Sequence, residues 1–222
     1  NQQQRLNLRY WGRYDWGKLE AQVYNETVNH QMNFGSNRSY WYTGNGMMGG
    51  APFNVAGMPM NTNAVTTGAK LKGSIDLGEM SLLRTGLEYQ HYFLNDRWLP
   101  VAHSTMMGPN TMYNINGGLQ QTTAAYAEWE KRFDPQLKTT LGIRYELVSS
   151  STGNVQPYNA TPGMMTNTDI NAANSFNGGS RSNSNNNVSL TALAQYKLDN
   201  NQETELGLAR QVRNPNLYEL YA

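Results

Sequence analysis

The sequence predicts an all-β fold: an antiparallel transmembrane β-barrel, with about eight strands of a larger barrel, short periplasmic turns and long extracellular loops. Three observations point there. Apolar and polar residues alternate with period two in eight separate segments; turn-type sequences join alternate pairs of segments; and long stretches rich in Asn, Ser and Gly join the rest.

The clearest segment is 137–147, where Leu137, Thr139, Leu141, Ile143, Tyr145 and Leu147 share one face and Lys138, Thr140, Gly142, Arg144 and Glu146 the other. Successive strand side chains point to opposite faces, so such a segment separates an apolar phase from a wet one. Residues 5–14 oppose Leu6, Leu8, Tyr10 and Tyr14 to Arg5, Asn7, Arg9 and Arg13, and residues 18–28 oppose Leu19, Ala21 and Val23 to Lys18, Glu20 and Gln22. Residues 65–75 set Val65, Ala69, Leu71 and Ile75 against Thr66, Lys70 and Lys72; residues 82–93 set Leu83, Leu87, Tyr89 and Phe93 against Arg84, Glu88 and Gln90. The alternation is less sharp in 120–132, because 122–127 is small on both faces. Residues 188–198 carry Val188, Leu190, Ala192, Ala194, Tyr196 and Leu198 on one side, and 203–212 carry Leu206, Leu208 and Val212. Each segment is near or above the roughly 9–11 residues that a tilted strand needs to cross the hydrocarbon layer.

Tight turns are expected at Asp15-Trp16-Gly17, at Asp76 to Met80, at Asp134-Pro135-Gln136 and at Asp199 to Gln202. The other connections far exceed the usual hairpin length of about 2–5 residues. The last of them, 149–187, contains Ser180-Arg181-Ser182-Asn183-Ser184-Asn185-Asn186-Asn187 and is read as a surface loop. Trp11, Tyr14, Trp16, Tyr89, Tyr92, Phe93, Trp98, Trp129 and Phe133 gather near segment ends, as interfacial girdles do. The competing fold is a soluble sandwich with aromatic core corners.

Composition narrows the function. With 17 basic and 16 acidic residues interspersed for a net +1, the chain has no basic face and no nucleic acid is expected as partner. It has no cysteine, hence no disulfide framework and no thiolate metal site. No apolar run reaches the length of a spanning helix. The start, Asn1-Gln2-Gln3-Gln4, carries no export signal, and Tyr221-Ala222 lacks the aromatic terminus of a finished barrel, so the chain is expected to be a piece of a longer protein.

Four landmarks are more specific: Asn29-His30-Gln31-Met32; Met58-Pro59-Met60-Asn61-Thr62; Thr66-Thr67-Gly68-Ala69-Lys70-Leu71; and Arg213-Asn214-Pro215-Asn216-Leu217-Tyr218-Glu219-Leu220-Tyr221. In this order they resemble landmarks of TonB-dependent outer-membrane receptors, and in particular of the copper-receptor group (OprC/NosA-like). The resemblance runs from about residue 18 to the end; its terminal stretch resembles a signature of many such receptors and speaks to the superfamily more than to the ligand. It implies residence in the outer membrane of a Gram-negative bacterium, among its lipids, and active import driven by a TonB-type energy-transducing protein acting through a plug outside this chain. Residues 1–222 would then be part of one barrel domain, with the plug and remaining strands elsewhere. The resemblance also implies a copper ion as transported ligand. In that group a His-x-Met from the barrel and a Cys-x-x-x-Met from the plug hold it together; His30 and Met32 match the barrel half, and with no cysteine here the plug half is missing.

Chemistry agrees with that transfer. Cu(I) is soft and prefers thioether and imidazole to carboxylate, and residues two apart on a strand share a face. Apart from Met80 in a tight turn, ten methionines (Met32, Met47, Met48, Met58, Met60, Met106, Met107, Met112, Met164 and Met165) lie outside the clear strand interiors. Met58, Met60, Met106 and Met107 are therefore secondary metal candidates on a methionine track; the alternative is that loops fold over one another and use Met as packing. His91 and His103 are lone histidines and read as ordinary surface or lumen residues. Arg5, Arg9, Lys70, Lys72, Arg84, Glu88, Arg144 and Glu146 are expected to face a wet interior or the plug. No enzymatic constellation converges, so the chain is not expected to be an enzyme, and no organic cofactor is implied. The alternative function is a passive pore or a small eight-stranded outer-membrane barrel with a structural or adhesive role.

Overall fold

The computed structural model describes residues 1–32, 59–78, 80–101, 107–163 and 166–222. Eight strands form one antiparallel sheet in chain order: β1 (Gln2–Tyr14), β2 (Gly17–Met32), β3 (Met60–Gly78), β4 (Ser81–Trp98), β5 (Met112–Arg132), β6 (Leu137–Ser151), β7 (Ser182–Lys197) and β8 (Glu203–Arg210). Helix α1 (Asn167–Gly178) lies between β6 and β7, and α2 (Leu217–Tyr221) follows β8. Among the described residues β1 and β8 do not pair, so these strands do not close on themselves as a small eight-stranded barrel.

The short turns are stitched by aspartates. Asp134 Oδ1 accepts from the N–H groups of Gln136 and Leu137 at 2.8 and 2.7 Å, and Asp199 Oδ1 from those of Asn201 and Gln202 at 2.7 and 2.9 Å. Asp76 Oδ1 accepts from the N–H of Gly78 at 2.9 Å. A side chain that bonds its own backbone two residues on fixes a turn locally. The first turn depends instead on Gly17: its φ of 141° disfavours any side chain, and a Cβ there would strike the Ser74 carbonyl.

Register carries the alternation across the whole sheet. Tyr10, Ala21, Leu71, Leu87, Ala125, Tyr145 and Val188 form one cross-strand row. Beside it, on the opposite face, runs a row of Arg9, Gln22, Lys70, Glu88, Ala124, Glu146 and Asn187. Leu8, Leu87 and Leu208 are 69%, 59% and 72% exposed although they sit within strands. No second sheet covers them among the described residues, which removes the dry sandwich; a face this apolar and this open is built for lipid.

At the long-loop end the strands outrun their alternating segments. β2 continues to Met32, β3 begins at Met60, β4 ends at Trp98, β5 begins at Met112 and β7 begins at Ser182. The Ser182–Asn187 part of the polar run is therefore strand, paired with Glu146–Ser151, and not loop. The reason is that alternation marks a strand only where its faces meet different phases. Beyond the hydrocarbon both faces are wet, and ladder hydrogen bonds alone hold the backbone. The connection after β4 shrinks to residues 99–111, and the last connection contains α1. β8, by contrast, stops at Arg210, two residues short of the alternating segment, where the chain turns inward.

That inward turn builds a small core on the wet face. Leu94, Ile115, Leu217 and Tyr221 bury one another, with Ala64, Tyr92, Phe176 and Leu220 packed around them. The chain before α2 is tied to the wall by Gln120 Nε2 donating to the Pro215 carbonyl at 3.0 Å, and the Tyr221 hydroxyl donates to the Ser150 carbonyl at 3.0 Å.

Candidate functional site

Alternation from Leu19, Ala21 and Val23 outward puts even-numbered β2 residues inward, so His30 and Met32 share the wet face with Lys18, Glu20, Gln22 and Glu26. Their Cα atoms are about 7 Å apart along the strand. Met32 pairs directly with Met60, Met60 with Trp98, and Trp98 with Met112, giving a rim row across four strands at the long-loop end. Cβ atoms of directly opposed residues lie about 4.5–5.5 Å apart, so the side chains of Met32 and Met60 leave the backbone side by side.

One step down lies the row His30, Thr62, Asp96. Asp96 is 1% exposed; one carboxylate oxygen accepts from Thr62 Oγ1 at 3.1 Å and the other from Asn114 Nδ2 at 2.9 Å. Tyr218 of α2 is hydrogen-bonded to Thr62, and burial, then the charge of Asp96, push its phenol above the ordinary value. Asp96 and Tyr218 were not legible as neighbours of His30. Asp96 lies beyond the alternating segment 82–93, though its even number continues the inward parity of Glu88 and Gln90.

The strand register thus sets Met60 beside Met32, one step above His30. Met32, Met60 and Met112 prove to be strand ends and not loop residues. Met107 lies apart, in the connection after β4, where its carbonyl accepts from the Val101 N–H at 2.8 Å. Met58 and Met106 lie outside the described residues, as do Met47, Met48, Met164, Met165 and His103. His91 is on the outward face, between Thr67 and Gln121.

Lower on the wet face the expected inward charges meet. Arg144 bridges Glu88 at 2.8 Å and Glu146 at 3.0 Å, and Lys70 reaches Glu88 at 3.5 Å. Arg84 bridges Glu128 and Glu130 at 2.5 and 3.0 Å. Asn214 donates to Glu146 at 2.7 Å, which carries the network onto the segment before α2. A polar hollow of about 460 Å³ opens between Lys70, Glu88, Arg144, Glu146, Arg213 and Asn214. Opposed charges in these numbers make a solvated wall.

α2 itself starts with a capping box: Asn216 Oδ1 accepts from the Glu219 N–H at 2.9 Å and Glu219 Oε2 from the Asn216 N–H at 2.8 Å. Arg213 pairs with Glu219 through both guanidinium nitrogens at 3.0 and 2.8 Å. Arg213 first, then the Asn216 N–H, hold the Glu219 carboxyl below the ordinary value of 4.5. A depressed carboxyl stabilises the fold fully above its ordinary pKa and loses that contribution as pH falls through the lowered value. Near-ultraviolet circular dichroism of Tyr218 and Tyr221 is therefore expected to hold steady from neutral pH to about 4.5 and to decline below it. Glu219→Gln should remove that step. A decline starting near pH 6, or one that persists in the variant, would exclude Glu219 as its source.

Comparison with known proteins agrees with this architecture. The structure of a copper transporter, OprC, is similar at a TM-score of 0.67 and 16% identity, covering 99% of this chain and 31% of that one. The FrpB iron transporter of Neisseria meningitidis, in the apoprotein form of its F5-1 variant, is similar at a TM-score of 0.62 and 17% identity, covering 98% of this chain and 30% of that one. The F3-3 variant of FrpB gives a TM-score of 0.55 at 17% identity, over 89% and 26% of the two chains. At these identities the likeness is one of fold, and this chain spans under a third of the length of either transporter. No curated protein sequence matches. The family model described as TonB dependent receptor-like, beta-barrel, matches residues 1–222, so the chain belongs to the TonB-dependent receptor β-barrel family, whose members reside in the outer membrane of Gram-negative bacteria.

Proposed function

We propose that this chain is the barrel wall of a TonB-dependent transporter for copper, with His30 and Met32 as the wall's half of the metal site and Met60 as an accessory thioether. The plug and remaining strands lie outside these residues. A TonB-type energy-transducing protein acts through the plug, and outer-membrane lipid surrounds the apolar face. The observation that carries the reading is the inward row that sets Met32 against Met60 one step above His30. Imidazole plus thioethers is a donor set for a soft ion such as Cu(I). Hard ferric iron would favour oxygen donors.

The test is copper stoichiometry of the full-length receptor by native mass spectrometry. His30→Ala/Met32→Ala is expected to lose one copper per molecule, and Met60→Ala to weaken its retention by about tenfold, the order of one lost or misoriented ligand contact. Unchanged stoichiometry in the double variant would remove His30 and Met32 from the site.

A further inference from the structure

The rim row does not end at the methionine pair. Trp98 of β4 stands directly opposite Met60 of β3, with Met112 of β5 on its other side. Its even number continues the inward parity of Glu88, Gln90 and Asp96, so it shares the wet face with Met32 and His30. The ladder runs one residue further, where the Leu99 N–H donates to the Pro59 carbonyl at 2.8 Å, so the backbone under the Met60–Trp98 pair is held on both sides.

The indole Nε1–H of Trp98 is buried and finds no acceptor among the described residues, a cost that buried donors seldom carry. With its polar edge unused, what the side chain brings to the rim is apolar bulk and the negative face of its π system. Two residues before it, Asp96 is buried, and its hydrogen-bond partners Thr62 and Asn114 are neutral. Thioethers carry no charge, and an imidazole that binds a metal is neutral. One carboxylate therefore balances a monovalent cation at this rim and leaves a divalent one in excess.

A cation within about 6 Å of an indole centroid is attracted by the ring quadrupole, most strongly where water is excluded. Directly opposed Cβ atoms lie about 4.5–5.5 Å apart, which puts an ion on the Met60 thioether within reach of the Trp98 ring. A ring also fills a coordination position without donating a lone pair, which keeps water off an ion satisfied by two or three soft donors. We propose that Trp98 caps the cargo ion at the rim through a cation–π contact and selects for a soft monovalent cation, Cu(I) or Ag(I). The proposal rests on the assignment of His30 and Met32 to the site. Its rival is plain packing of the ring between Met60 and Met112.

Ag(I), soft, monovalent and redox-silent, is titrated into the detergent-solubilised full-length receptor. In the wild type it is expected to shift the red edge of indole absorption and to quench tryptophan emission. Trp98→Phe keeps a ring but should lose that signal, although Trp11, Trp16, Trp41 and Trp129 remain. Trp98→Leu should weaken Ag(I) binding by about tenfold or more, the size of a desolvated cation–π contact. Zn(II), which takes four donors, should not weaken with it, so the preference for Ag(I) narrows by a similar factor. Heat-modifiable gel mobility reports folding of both variants. The cap is overturned if Trp98→Leu holds Ag(I) as tightly as wild type, if Zn(II) binding falls in step with Ag(I), or if Trp98→Phe keeps the indole signal. Should His30→Ala/Met32→Ala still lose the ion in those cases, the metal site itself stands; retention of Ag(I) by that double variant would remove the site and the cap with it.

Discussion

Leu87→Arg should destabilise the barrel in a bilayer by about 2–4 kcal/mol, the cost of a guanidinium near the membrane midplane. Leu87 sits midway between Leu83 and Phe93 on the outward face of β4 and is 59% exposed. Its register neighbours Leu71 and Ala125 offer no counter-charge. Gln90→Arg brings the same charge to the inward face, where Gln90 is exposed and donates to the Tyr24 hydroxyl at 3.2 Å. It should change stability by no more than about 0.5 kcal/mol. Urea-driven folding and unfolding in phosphatidylcholine vesicles measures both. Equal costs for the two substitutions would mean that the apolar face does not meet lipid.

Leu94→Ala should cost about 2–5 kcal/mol, the range for removing a leucine side chain from a packed core. Leu94 is 1% exposed and lies in the cluster with Ile115, Leu217 and Tyr221. Tyr221 stacks edge-on against Phe176 of α1, ring centroids 6.5 Å apart. The cavity therefore opens under α2 and loosens its hold on α1. Amide exchange of residues 217–221 is expected to speed up by about 30-fold or more, since 1.4 kcal/mol is a factor of ten. Exchange in the lower half of β4 should be little changed. If residues 217–221 keep their wild-type protection, the cluster is not what docks α2.

Strand identity was readable wherever one face met lipid and the other did not. Residues 137–147 are the plainest case, and β6 begins at Leu137 as the alternation required. The upper part of β7 was hidden because Ser182 to Asn187 is polar on both faces, and nothing but pairing with β6 makes it a strand. The start of β5 was hidden for a second reason. Its ladder with β4 shifts register between Leu94 and Asp96 and again before Arg97, and Gly117 takes a φ of 62°, so parity breaks where the sequence would have to be counted. Helix α1 gave no amphipathic signal; Ala173 is the one buried residue in it.

For the candidate site, the inward placement of His30 and Met32 followed from parity with Leu19, Ala21 and Val23. The Met32–Met60 pairing did not, because a long connection leaves the register of β2 on β3 undetermined until the strands are laid side by side. Asp96 lies beyond Phe93, where the alternation of β4 ends although the strand does not. The Leu217–Tyr221 turn was visible only as a family landmark, since its contacts with Leu94 and Ile115 join residues more than a hundred positions apart.

Strand order in space repeats strand order in the chain, and three of the hairpins carry an aspartate that closes its own bend. Within each of the four short hairpins a new strand can therefore zip onto the one just laid down without waiting for a distant partner, which keeps the entropy of loop closure small there. A misaligned addition is also self-correcting. Sliding β4 by a single position would push Glu88 among acyl chains and pull Leu87 into water, an isomer too unfavourable to persist while the next hairpin assembles.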